Sequence, residues 1–199
     1  NKGTAAKHRI MLFVISAPSG AGKTTIVREL LKIHNDLIFS ISATTRNKRG
    51  NEIHGHDYFF LSKDEFNSKI KNNELVEYEN VYKDDYYGTL KSFIDESLEK
   101  GKHVIFDIDV KGALSIKKLY ADKAVLIYIM PPDVETLKTR LINRATENHE
   151  DIQTRINRFD MELNQKDLFD YVVVNKELPT AVSEANNIIL KYKNNLKEK

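Results

Sequence analysis

The chain has 199 residues, 41% hydrophobic and 30% charged, which supports one substantial core and argues against wholesale disorder. Its 31 basic and 29 acidic residues leave a formal charge of +2, excluding a polybasic nucleic-acid wrap and an acidic tail. The absence of cysteine excludes a disulfide scaffold, a thiolate nucleophile and a cysteine-ligated metal.

From the N-terminal side, Ile10 to Ile15 is an apolar run that reads as a buried strand. It is far shorter than the roughly 20 residues of a membrane span. The opening Asn1-Lys2-Gly3 has no signal-peptide core, so a soluble, cytoplasmic protein is expected. Ile26, Leu30 and Ile33 keep helical spacing after a glycine-rich turn. Residues 43–90 are polar and aromatic, with one clear helix opened by the capping pattern Ser62-x-x-Glu65. Strands follow at Val104 to Phe106 and Val125 to Ile129. A helix carrying Leu137, Leu141 and Ile142 comes after Pro131-Pro132. Asn143 to Asp151 is charged and aperiodic, and Ile152, Ile156, Phe159 and Leu163 resume helical spacing. A strand at Tyr171 to Val174 and a helix from Thr180 to Asn194 complete the series, with Lys191 to Lys199 read as a solvated helix end. The six histidines show no metal-ligand spacing and read as scattered surface or supporting groups.

Strands alternating with helices predict an α/β sandwich of three layers around a central parallel sheet. Two polar insertions interrupt it, as lids and binding arms do. The expected organisation is a core of residues 1–42 and 91–199, an arm of 43–90, and a lid segment of 143–155.

Directly after the first strand, the segment Ser16-Ala17-Pro18-Ser19-Gly20-Ala21-Gly22-Lys23-Thr24-Thr25 fits the spacing of a phosphate-binding P-loop, with Ala17 in place of the first glycine. Gly20 and Gly22 let the backbone N–H groups converge on phosphate oxygens, and the following helix adds its positive end. Lys23 is then placed to reach the transferring phosphates, and the Thr24 hydroxyl to hold magnesium. Ala17, Pro18, Ser19, Gly20, Ala21, Gly22, Lys23, Thr24 and Thr25 therefore form the candidate ATP-binding set. Downstream, Arg46 and Arg49 lie three apart beside hydroxyl residues, a pattern suited to a second phosphate-bearing substrate. Asp107 and Asp109 are expected to point the same way at the carboxyl end of a strand. Asp107 occupies the position of a magnesium carboxylate, acting through water.

Several motifs in order resemble the guanylate kinase family. They are Ser42 to Arg49, Glu52 to Tyr58, Glu77-Tyr78, Tyr86-Tyr87-Gly88-Thr89, Asp107-Ile108-Asp109, Arg140 to Glu147 with Arg155, and Tyr171 to Asn175. The resemblance spans essentially the whole chain. It implies magnesium-dependent transfer of the ATP γ-phosphate to GMP, with dGMP as a further candidate substrate. It implies that Arg46, Arg49, Tyr58 and Tyr87 grip the GMP phosphate, and that Ser42, Glu77, Thr89 and Asp109 read guanine. Carboxylates accept from guanine N1–H and N2–H, whereas adenine leaves them unpaired. Arg140, Arg144 and Arg155 join Lys23 and Arg46 as candidates for charge stabilisation over the phosphates. Nucleic-acid and membrane partners are not expected, and a monomer and a homodimer are both compatible. Departures from the family pattern are Ala17, Ala145 for the lid glycine, the turn Arg49-Gly50-Asn51-Glu52, and one extra residue between Glu77 and Tyr86. Two other functions compete: a scaffold module that holds phosphopeptides in the same arm, and a kinase for another nucleoside monophosphate.

Overall fold

The computed structural model describes residues 10–18, 20–82, 84–143, 157 and 164–194. In chain order the elements begin with β1 (Leu12–Ser16), α1 (Lys23–Ile33), β2 (Leu37–Phe39), β3 (Ala43–Thr44) and β4 (Phe59–Phe60). Next come α2 (Lys63–Lys71), β5 (Leu75–Tyr82), β6 (Asp85–Leu90), α3 (Lys91–Glu99), β7 (His103–Asp107) and α4 (Val110–Tyr120). The series ends with β8 (Ala124–Met130), α5 (Val134–Asn143), β9 (Tyr171–Val174) and α6 (Leu178–Asn194).

Strands β2-β7-β1-β8-β9 form a wholly parallel sheet. Helices cover both of its faces, which is why β1 reads as an unbroken apolar run: Leu12, Phe13, Val14 and Ile15 are all fully buried. Side-chain alternation divides the core. Phe13, Ile15, Ile105 and Ile127 pack with Ile26 and Leu30 of α1 and Ala181, Ala185 and Ile189 of α6. Leu12, Val14, Phe106 and Leu126 pack with Ile94 of α3 and Ala113 and Ile116 of α4. This is the expected three-layer α/β arrangement.

Within residues 43–90 a second, mixed sheet has the order β4-β3-β6-β5. Its small core holds Ala43, Phe66, Leu75 and Leu90, with Phe59 packed against it. The Ser62–Glu65 capping box forms, with Glu65 N–H donating to Ser62 Oγ at 3.1 Å and Ser62 N–H to Glu65 Oε2 at 2.7 Å. The β5–β6 hairpin has a register shift between Asn80 and Tyr82, with one more residue on β5 than on β6.

Several sequence expectations change. Ile33 and Ile142 are more than half exposed, so the buried stripes of α1 and α5 are narrower than their spacing suggested. The short edge strand β2 was not anticipated. His34 and His103 are buried, not scattered on the surface. At the end of α6, Lys191 and Asn194 are exposed as expected, Lys193 is instead partly buried, and residues 195–199 lie outside the described residues. Lys193 Nζ donates to Asp36 Oδ1 at 2.5 Å and to His34 Nδ1 at 3.2 Å, and Lys191 Nζ donates to Tyr171 Oη at 3.2 Å. The helical pattern from Ile152 to Leu163 lies outside the described residues, Asn157 excepted.

Candidate active site

The phosphate loop leaves β1 at the carboxyl edge of the sheet, where open parallel sheets bind ligands. Gly20 (φ 87°) and Gly22 (φ 91°) take left-handed conformations that a side chain would resist. Ala17 needs no positive φ, so the missing glycine costs the loop nothing there. Lys23 opens α1 and pairs with Asp107 through Nζ–Oδ1 at 2.7 Å, while Thr24 Oγ1 donates to Asp107 Oδ2 at 3.0 Å. Lys23, Thr24 and Asp107 line a cleft of about 310 Å³ with Ala17, Pro18, Gly20, Ala21 and Gly22. Thr24 and Asp107 offer hard oxygen donors side by side, a set that fits magnesium. Ser19 lies outside the described residues.

A second cluster stands on the arm. Arg46 is buried against both Tyr58 and Phe60, its Cζ 5.2 Å and 5.8 Å from their ring centroids. It donates from Nε to Tyr87 Oη at 3.0 Å, and from Nη1 and Nη2 to Glu52 at 3.0 and 2.8 Å. Glu52 also accepts the Arg49 N–H at 2.8 Å. The Arg46 fork, then the Arg49 N–H, hold the Glu52 carboxyl down at about 2, and Arg46 is pushed up in turn by the same pair. The Arg49 side chain is exposed. Gly50 itself takes positive φ (47°), so the altered turn does not rely on Asn51.

Between arm and core lies a pocket of about 310 Å³ whose lining includes Glu77, Tyr78, Asp109, Gly112 and Ser115. Thr89 Oγ1 donates to Glu77 Oε1 at 2.7 Å. Burial pushes the Glu77 carboxyl up; Thr89 opposes this and the nearby Asp109 charge adds to it. Thr89 is fully buried and touches the pocket only through Glu77, and Ser42 is half-buried at the edge of β3, outside the lining.

One expectation is corrected. Asp107 and Asp109 do not point the same way along a strand, because β7 stops at Asp107. Asp109 is the N-cap of α4, accepting the Gly112 N–H at 2.8 Å. Asp107 faces the phosphate cleft and Asp109 the carboxylate pocket. Arg140 reaches two backbone carbonyls. Its Nη2 donates to Asn175 O at 2.9 Å and its Nη1 lies 3.4 Å from Ala21 O. Arg144 and Arg155 lie outside the described residues.

Two site residues escaped the sequence reading. Glu52 orients Arg46. Asn175 is buried beneath the phosphate loop, donating from Nδ2 to Ala21 O at 2.8 Å, so tightly that a Cβ on Gly22 would collide with its amide. Both belong to quoted motifs, but Asn175 meets its partner 154 residues away, and no local spacing encodes that.

The family model for guanylate kinase matches residues 9–192. The chain belongs to the guanylate kinase family. A guanylate kinase of Bacteroides thetaiotaomicron is 48% identical over 183 residues, covering 92% of this chain and 90% of that protein. One from Thermotoga maritima is 44% identical over 178 residues, covering 89% and 85%. The crystal structure of guanylate kinase from Anaplasma phagocytophilum superposes with a TM-score of 0.71 at 27% identity, covering 94% of this chain and 87% of that one. The family's reaction is phosphate transfer from ATP to GMP, and its members are nucleoside monophosphate kinases. Among the described residues no helix is long and apolar enough to cross a membrane.

Proposed function

We infer that the chain transfers the γ-phosphate of ATP to GMP in the cytoplasm, with ATP on the phosphate loop and guanine in the Glu77–Asp109 pocket. One observation supports this reading: the step Asp107-Ile108-Asp109 puts one carboxylate in the cleft lined by Lys23 and Thr24 and the other in the pocket lined by Glu77. Two ligands seated on those carboxylates meet end to end. The GMP phosphate oxygen then forms its bond to the γ-phosphorus as the bond to the ADP oxygen breaks.

Each group has a task in this reading. Lys23, now paired with Asp107, draws the β- and γ-phosphates toward the loop N–H groups. Thr24 and Asp107 would hold magnesium, which would supply positive charge against the phosphates. Arg46, fixed by Glu52, Tyr87 and the Asn47 carbonyl, presents its one remaining N–H, on Nη2, to the GMP phosphate beside Arg49 and Tyr58. Glu77 and Asp109 accept from guanine N1–H and N2–H, with Thr89 steering Glu77. Arg140 steadies the loop from α5, and Arg144 and Arg155 add positive charge from the lid segment. Residues 43–90 and 143–155 act as units that close on the core.

Release of ADP with GMP, AMP, CMP and UMP at equal concentrations tests the reading. GMP should be the preferred acceptor by several orders of magnitude, since adenine leaves both carboxylates unpaired. Comparable turnover with AMP would overturn it.

A further inference from the structure

We propose that Gly112 is a specificity-determining position: its missing side chain lets the first turn of α4 close against β5 and sets the spacing of the Glu77 and Asp109 carboxylates. This rests on the assignment of that pocket to guanine.

Glycine at this place has no conformational justification. Gly112 lies within α4 and does not have positive φ, so any residue could adopt its backbone. Alanine is the better helix former, and local propensity therefore opposes glycine here. What glycine supplies is room. A methyl group at Gly112 would lie 3.1 Å from Asp109 Oδ1, 3.1 Å from Ile108 Cδ1 and 3.3 Å from Glu77 Cγ. Ile108 presents the end of a flexible side chain and can yield. The other two neighbours belong to the carboxylates that face each other across the pocket.

Neither carboxylate can yield without changing the pocket. Asp109 Oδ1 is already engaged by the Gly112 N–H at 2.8 Å, which leaves Oδ2 for a ligand. Pushing Oδ1 away lengthens that capping bond and turns Oδ2 off its line. Glu77 is held by Thr89 at 2.7 Å, so displacement of its Cγ twists the carboxylate against a fixed donor. A methyl group at Gly112 therefore acts on both halves of the guanine-reading pair at once. It touches nothing in the phosphate cleft, whose lining shares no residue with this pocket.

The test is Gly112→Ala, with Michaelis constants for GMP and ATP, the dissociation constant for GMP measured by calorimetry, and the melting temperature. The expected result is a rise of roughly tenfold in both GMP constants, an ATP constant within about twofold of the parent, and narrowed discrimination between GMP and AMP. Melting should stay close to that of the parent protein. Unchanged GMP binding, equal shifts for both nucleotides, or a chain that no longer folds would each overturn the proposal. Failure of the underlying reading looks different. There the unsubstituted protein would itself fail to prefer GMP, whatever Gly112→Ala does.

Discussion

The phosphate loop and the arm perform related tasks, since each must hold phosphate oxygens, yet they are built in opposite ways. The loop is a single stretch of backbone that leaves a buried strand and enters a helix, so its donors are fixed by chain geometry. The arm gathers Arg46, Glu52, Tyr58 and Tyr87 from separate segments, and its donors are fixed by one another. A site made of backbone tolerates changes in its side-chain surroundings. A site made of mutually bonded side chains fails when any member loses its partner.

Four substitutions or conditions probe that contrast, beginning with the largest effect. Lys23→Ala removes the loop's one mobile charge and should lower turnover on the order of 10²–10³-fold with little change in melting. Near-normal turnover would mean that backbone N–H groups suffice. Glu52→Gln replaces an acceptor with an amide that offers N–H to Arg46. It should raise the GMP Michaelis constant about tenfold while sparing that of ATP, because the fork orients only the arm. Equal effects on both nucleotides would dissolve the distinction between the two sites.

Asn175→Ala should cost about 1 kcal/mol and raise the ATP constant a few-fold. The loss is moderated because, among the described residues, the buried Asn175 Oδ1 has no hydrogen-bond partner, so its removal also relieves a cost. Denaturant titration alongside ATP kinetics measures both. A larger effect on GMP would show that the loop is not held locally.

The smallest effect concerns pH. Burial raises the Glu77 carboxyl, so protonation sets in at higher pH than for an ordinary glutamate. GMP affinity should weaken a few-fold on mild acidification before ATP affinity does. The opposite order, followed by calorimetry across the acid range, would remove Glu77 from base recognition. Stability follows a separate group. Burial lowers the His103 pKa, so the unfolded chain binds more protons just below the ordinary histidine value. Stability should therefore be complete above about 6.5 and decline as pH falls below it.

The same contrast explains what the sequence disclosed. Strands β1, β8 and β9 are continuous apolar runs, and the loop is contiguous, so both were legible as patterns. Arg46 and Arg49 were legible as a phosphate pair, but the role of Glu52 was not, because charge patterning does not reveal which acid an arginine will take. Asp109 was misplaced because alternation holds only while a strand continues, and β7 ends two residues earlier. The burial of His34 and His103 was not legible because each is held by a hydrogen-bond partner far away in the sequence. His103 Nδ1 accepts from Met11 N–H at 3.0 Å, and His34 Nε2 meets Asn186 Oδ1 at 2.7 Å.

The packing of α6 on α1 has a consequence for synthesis. Ile26 and Leu30, which follow the phosphate loop, are roofed by Ala181, Ala185 and Ile189 from the other end of the chain. A nascent chain has the complete loop sequence early, but the helix behind it stays uncovered until the last described turns leave the ribosome. Nucleotide capture is therefore expected only after α6 has emerged and docked on α1. A ribosome stalled before Leu178 should display an intact arm and an idle loop.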